Sequence, residues 1–182
     1  MKVYVHLATG FEEIEAVTTV DVLRRAGIRT ETVSITGEIP VTGSHGITIA
    51  ADLLYEDAKY ESCDMIVLPG GMPGTANLDA HEGLAKRLRD FASQGRWIAA
   101  ICAAPMILGE AGLLSGKKAV IYPGMEEHLK GALIGKKPVE TDGKLITSKG
   151  PGTALAFALT LVEILKGTLA ADALRKSMVL DQ

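Results

Sequence analysis

Trp97-Ile-Ala-Ala-Ile-Cys-Ala-Ala-Pro105 joins an apolar run to a helix-prone one, with a cysteine at the junction. Ile98 to Ile101 is short, apolar and bounded upstream by Gly95, the pattern of a strand buried on both faces. Ala103 to Ala111 favours helix and stops at Gly112. Cys102 is therefore expected where a strand ends and a helix presents its unpaired N–H groups and positive dipole end, a setting that favours the thiolate. Ala100 and Ala104 are small enough for a sharp strand-to-helix turn of the nucleophile-elbow kind, alanines standing where that turn usually has glycines. A lone cysteine in an apolar run is usually a packed core residue. The strand-end position separates this one, because open parallel sheets gather their sites at the carboxyl ends of their strands.

Outward from that junction, strand-like runs alternate with helical patterns, which predicts a mostly parallel sheet with helices on both faces. Strands are expected at Lys2 to Leu7, Thr30 to Ile35, Asp64 to Leu68, Trp97 to Ile101, Ala119 to Ile121 and Lys144 to Ser148. Helices are expected at about 12–26, 80–94, 103–111, 124–130, 151–166 and 169–176, with Gly27 and Gly167 as stops and Pro123 and Pro151 in first turns. A short strand pair near Ile39 to Val41 and Gly46 to Ala50, and a hairpin across Val139 to Ile146, decorate the sheet. No linker or repeat interrupts residues 1–182, so a single domain is expected, and 47% hydrophobic residues suffice for its core.

Composition narrows the partners. A net charge of −3 without a basic block argues against nucleic acid and against an anionic membrane surface. The longest apolar helix, around Ala154 to Leu165, contains Glu163 and falls short of the ~18 residues that span a bilayer. Cys63 and Cys102 form neither a Cys-x-x-Cys pair nor a histidine-spaced metal site, which points to a reducing cytoplasm and to no bound metal.

Two further segments carry chemistry. Pro69-Gly-Gly-Met-Pro-Gly74 follows the strand Asp64 to Leu68, and lacks both the Walker lysine and the dinucleotide glycine spacing. It offers unobstructed amides instead, and the Gly71 N–H is expected to pair with that of Ala103 as an oxyanion hole. Thr9-Gly-Phe-Glu-Glu-Ile-Glu15 puts three carboxylates in the first turns of a helix. Glu12 and Glu13 need no role beyond the helix dipole. Glu15 lies where the helix turns from polar to apolar, and a carboxyl directed into the crevice there would stay protonated and donate to a thiolate. Among the histidines, His6 suits a packed strand, His81 and His128 suit solvated helix positions, and His45 sits on a loop that could line a site.

Glu12-Glu-Ile-Glu15, Val20-Asp-Val-Leu-Arg-Arg-Ala-Gly27, Val67-Leu-Pro-Gly-Gly71, Ala99-Ala-Ile-Cys-Ala103 and Thr147-Ser-Lys-Gly-Pro-Gly-Thr153 occur in this order, and together the chain resembles the DJ-1/ThiJ/PfpI superfamily. The resemblance implies a flavodoxin-like α/β sandwich, usually a homodimer, with Cys102 as the nucleophile on its elbow. It also implies that Glu15 is the protonated carboxyl beside it, that the amides around Gly70, Gly71 and Ala103 are oxyanion donors, and that Gly150-Pro151-Gly152 walls the pocket near the dimer seam. Two positions depart from the DJ-1 branch: Tyr122 stands where a histidine is usual, and His45 where an arginine marks the pocket mouth. A tyrosine, with a pKa near ~10, is a poor proton shuttle at neutral pH.

The resemblance implies a small carbonyl substrate or an oxidant as the partner, with no cofactor. The first reading is a glyoxalase or deglycase acting on 2-oxoaldehydes such as methylglyoxal. The alternatives are a redox sensor or chaperone in oxidative stress and, more remotely, a cysteine peptidase-like hydrolase.

Overall fold

The computed structural model describes residues 1–180 and has eleven strands: β1 Lys2–Leu7, β2 Arg29–Ser34, β3 Pro40–Thr42, β4 Thr48–Ala50, β5 Leu53–Leu54, β6 Met65–Leu68, β7 Trp97–Ile101, β8 Lys118–Ala119, β9 Leu133–Ile134, β10 Val139–Asp142 and β11 Leu145–Ser148. The helices are α1 Glu13–Arg25, α2 Gly74–Asp79, α3 Glu82–Ser93, α4 Pro105–Glu110, α5 Ala154–Lys166 and α6 Thr168–Ser177. Seven strands form one sheet in the order β10-β11-β7-β6-β1-β2-β5, parallel except for the β10 edge.

Period-two alternation sends neighbouring residues to opposite faces of this sheet. Tyr4, Ile66, Leu68, Ile98 and Ala100 pack with Leu84, Leu88, Phe91 and Ile107 on one side. Val3, Val5, Met65, Val67, Ala99 and Ile101 pack with Val22, Leu23, Phe157 and Leu161 on the other. The central runs of β6 and β7 are apolar throughout because both faces are covered. The chain reverses direction in the sheet after β2: β5 lies outside β2, whereas β6 and β7 lie on the far side of β1. Crevices form at such a switch point, outside the carboxyl ends of the strands, and β1, β6 and β7 all end there.

Three expectations are corrected. Ala119 to Ile121 does not join the main sheet. The flank of β11 away from β7 is taken by β10, and Val120 gives its N–H to Thr147 Oγ1 at 2.9 Å, so only Lys118–Ala119 pairs, with β9. The helix expected at 124–130 is a single 3₁₀ turn, Glu126–His128, because Gly124 sits at φ +92 and interrupts helical backbone. The helix expected at 80–94 is α3, Glu82–Ser93, but His81 stands outside it as an extended residue whose Nδ1 accepts from the Leu84 amide at 3.0 Å as its cap. The His81 ring lies over Tyr55, centroids 4.4 Å apart, and is not freely solvated.

Candidate active site

β7 ends directly in the elbow. Cys102 has φ +65, and only it and Val179 take positive φ among the described non-glycine residues. A side chain in the left-handed region costs on the order of 1–2 kcal/mol and is held there by its surroundings. Those surroundings are visible: Cys102 donates its amide to Ser148 O at 3.0 Å and accepts on its carbonyl from the Tyr122 amide at 2.9 Å. Residues 102–104 form a turn and α4 begins only at Pro105, so the cysteine stands one turn ahead of the helix.

α1 delivers the carboxyl. Glu15, Thr19 and Val22 fall on its buried face at helical spacing, and Glu15 is fully buried at the carboxyl end of β1. Its Oε2 accepts from the Gly70 amide at 2.7 Å, while the Gly70 carbonyl accepts from the Glu12 amide at 2.9 Å. This reciprocal pair fastens the post-β6 loop to the start of α1. Gly70 is compulsory there, since a Cβ would come within 2.5 Å of Cys102 Cβ and 2.9 Å of Glu15 Oε2. The expectation that Gly70 serves the substrate is thereby corrected, because its N–H is spent on Glu15. Gly71 has φ +88, and a Cβ there would meet the Glu12 amide at 2.4 Å.

The electrostatics follow from burial. Burial lifts the Glu15 carboxyl to about 7; the Gly70 amide and the Cys102 thiol oppose the rise, and the Glu12 charge adds to it. Burial likewise pushes the Cys102 thiol up to about 12, reinforced by Glu15 and opposed by the Gly71 and Ala103 amides. The Gly71 and Ala103 amides, expected as an oxyanion pair, both act to lower the thiol pKa. Desolvation and a charged Glu15 push against the thiolate, and the two amides pull toward it. Losing the thiol proton becomes easier once Glu15 carries its own.

The remaining candidates separate. Tyr122 is half exposed, and its ring stands beside Gly150. Pro151 lines a cavity of about 380 Å³ with Ile14, Val17 and Leu155, and a Cβ at Gly150 would stand 4.0 Å from Cys102 Sγ. His45 is not a free group at a pocket mouth, since its Nδ1 is held by Glu13 Oε2 at 2.9 Å with Glu12 Oε2 at 3.6 Å. Glu13 also accepts from the His45 amide at 2.8 Å and drops to about 2, burial opposing that shift and the bonds to His45 and Ile47 prevailing. Glu12, Glu13 and His45 could present one ligand atom each to a cation. Of these atoms, Glu13 Oε2 and His45 Nδ1 are already engaged with each other.

Sequence reasoning missed the Glu13–His45 clasp and the bond from Gly70 to Glu15. The clasp joins residues 32 apart in sequence, and no local spacing signals it. The double glycine at 70–71 was the available hint that a backbone approaches closely there.

The fold and this cysteine elbow define an α/β protein with a candidate thiol site at a sheet switch point. Residues 1–164 match the DJ-1/PfpI family model, and the chain belongs to that family. It is 38% identical over 178 residues to the Parkinson disease protein 7 homolog of Danio rerio (96% of this chain, 94% of that protein). It is 34% identical over 171 residues to the glutathione-independent glyoxalase DJR-1.2 of Caenorhabditis elegans (93% and 90%). Protein DJ-1 homolog B of Arabidopsis thaliana is 44% identical over 168 residues, covering 91% of this chain; the chain spans only 38% of that protein's length and 46% of its homolog A. The solved structure of oxidized Toxoplasma gondii DJ-1 superposes with a TM-score of 0.94 at 38% identity, over 98% of this chain and 97% of that one.

Proposed function

We propose that the protein is a cofactor-free glyoxalase converting small 2-oxoaldehydes to 2-hydroxy acids. The convergence of the Cys102 sulfur, the Glu15 carboxyl and the Gly71 and Ala103 amides at one point carries this reading. A relative bearing the glyoxalase name supports it.

The chemistry closes with these groups alone. Glu15 takes the thiol proton as sulfur adds to the aldehyde carbon, and the two amides hold the oxyanion that forms. Glu15 returns the proton to that oxygen, giving a hemithioacetal. It then removes the hydrogen on the same carbon, giving an enediolate in which the hydroxyl proton passes from the first oxygen to the second, and delivers the hydrogen it holds to the neighbouring carbon. The product is a thioester of the 2-hydroxy acid, and water cleaves it to release the acid and restore the thiol. A carboxyl near 7 is matched to giving and taking protons at neutral pH.

Purified protein should turn over methylglyoxal to lactate, and Cys102→Ser should abolish this. Turnover that survives Cys102→Ser, or wild type that produces no 2-hydroxy acid, sinks the reading. A second reading rests on the half-exposed sulfur and the oxidized state named for the Toxoplasma gondii relative: a redox sensor in which an oxidised Cys102 takes hydrogen bonds from Glu15 and the two amides.

The same reading includes a homodimer. Ile14 and Val17 on α1 are 55% and 46% exposed and border the cavity that Pro151 and Leu155 line. A second copy covering this face would bury apolar surface otherwise left in water. Sedimentation should give a dimer that Val17→Asp weakens; a wild-type monomer rejects the assembly.

A further inference from the structure

Gly150 has φ 161 and ψ −167, an extended backbone open to any residue, so its conformation does not demand glycine. Its surroundings do make use of the missing side chain. A Cβ at 150 would stand 4.0 Å from Cys102 Sγ, 3.3 Å from Tyr122 Cδ2 and 3.7 Å from Tyr122 Cε2. What the glycine leaves is a slot whose one wall is the reacting sulfur and whose other wall is an aromatic ring. Tyr122 is anchored there through its backbone N–H, which donates to the Cys102 carbonyl at 2.9 Å and keeps the residue beside the elbow. It is nevertheless 47% exposed, and Met72, next to the Gly71 amide, is 56% exposed. An apolar ring beside a reactive atom, only half covered by protein, has contact area to offer a ligand.

From this we infer that Tyr122 and Gly150 select the substituent of the carbonyl substrate, favouring a flat aromatic group over a methyl. The inference rests on Cys102 being the nucleophile proposed above. In the hemithioacetal the substituent of a 2-oxoaldehyde begins three bonds from the sulfur, which brings its first atom to the level of the Gly150 slot. From there a methyl group covers little of Tyr122, whereas a phenyl group lies against the ring. Nothing in this arrangement calls on the phenol hydroxyl; Tyr122 acts as a surface and is a specificity residue, not an acid or base.

Two measurements test this and fail independently of the glyoxalase reading. The first is the ratio of kcat/KM for phenylglyoxal to that for methylglyoxal. The second needs no turnover: the rate ratio for alkylation of Cys102 by 2-bromoacetophenone against bromoacetone, in which sulfur displaces bromide and the thiol proton leaves to Glu15 or solvent, each rate divided by that of glutathione. Both ratios should exceed one in wild type. They should fall roughly three- to ten-fold in Tyr122→Leu, the size of one aromatic contact, and be kept in Tyr122→Phe. Gly150→Ala, which fills the slot and sets its Cβ 3.3 Å from Tyr122 Cδ2, should also lower them. A wild-type alkylation ratio of one, or ratios unmoved by Tyr122→Leu, overturns the inference even if methylglyoxal is turned over. Aromatic selectivity in alkylation without any turnover keeps the inference and removes the glyoxalase reading.

Discussion

Cys63 and Cys102 are both thiols pushed up to about 12 by burial, yet they differ in what surrounds the sulfur. Cys63 is 2% exposed and donates to the Met65 carbonyl at 3.1 Å inside the core. Cys102 is part-exposed and faces two amides and a proton acceptor. Stoichiometric peroxide should therefore modify Cys102 first, read by mass spectrometry; Cys63 oxidised with Cys102 intact would contradict it. Glu15 allows a sharper test, because its two effects on Cys102 oppose each other. Its charge holds the thiol proton on, whereas its basicity is what the isomerisation needs. Glu15→Gln keeps a neutral group of the same shape, so at pH 8 alkylation of Cys102 by iodoacetamide should quicken while 2-oxoaldehyde turnover falls by ~10²–10⁴. Parallel changes in both rates would mean that the carboxyl does not act on the sulfur.

At the scale of elements, the site is an agreement among three strand ends. β7 supplies the elbow, the loop after β6 supplies Gly70 and Gly71, and α1 after β1 supplies Glu15. The β3–β4 hairpin is attached to this assembly from outside. Glu13 accepts from the His45 amide and ring and, more loosely, from the Ile47 amide, and Gly43 lies so close that a Cβ would come within 2.4 Å of Glu13 Cδ. A buried carboxylate that loses such donors leaves them unsatisfied, at about 1–3 kcal/mol each. Glu13→Ala should consequently speed amide exchange at residues 43–47 by tenfold or more while β1, β6 and β7 keep their protection. Uniform loss of protection would show instead that the hairpin is integral to the main core.

Two buried groups set opposing pH slopes for the whole molecule. His6 is fully buried with Nε2 on the Tyr60 hydroxyl at 2.7 Å, and burial depresses it from 6.5 to about 3. The unfolded chain then binds a proton that the folded one refuses, so stability is lost as pH falls from 6.5 to about 3, on the order of 4–5 kcal/mol in all. Glu15 works the other way. Its rise from 4.5 to about 7 means that the folded state holds a proton the unfolded state has released, and stability is lost as pH rises through that window, on the order of 3 kcal/mol. Between about 4.5 and 6.5 the two slopes offset, and below 4.5 Glu13, depressed to about 2, adds its loss to that of His6. Urea unfolding should give a plateau above pH 4.5 and a steep fall beneath it. In Glu15→Gln the plateau should become a rise toward pH 7, and a variant with the wild-type profile would show that Glu15 is ionised in the folded protein throughout.

Much of this was legible in residue order. Unbroken apolar runs such as Ile98 to Ile101 specify strands covered on both faces, the strand-to-helix change at Cys102 specifies the elbow, and adjacent glycines after Leu68 specify a close backbone approach. These are local consequences of periodicity and of small side chains, which the chain carries wherever it folds. What tertiary structure decided was everything that depends on which surfaces meet. Ala119 to Ile121 has the look of a sheet strand but is excluded because β10 already occupies the flank of β11. His45 looks free until α1 brings Glu13 beneath it. Most of all, the upward push on both Cys102 and Glu15 comes from desolvation, a property of the completed core that no local spacing carries.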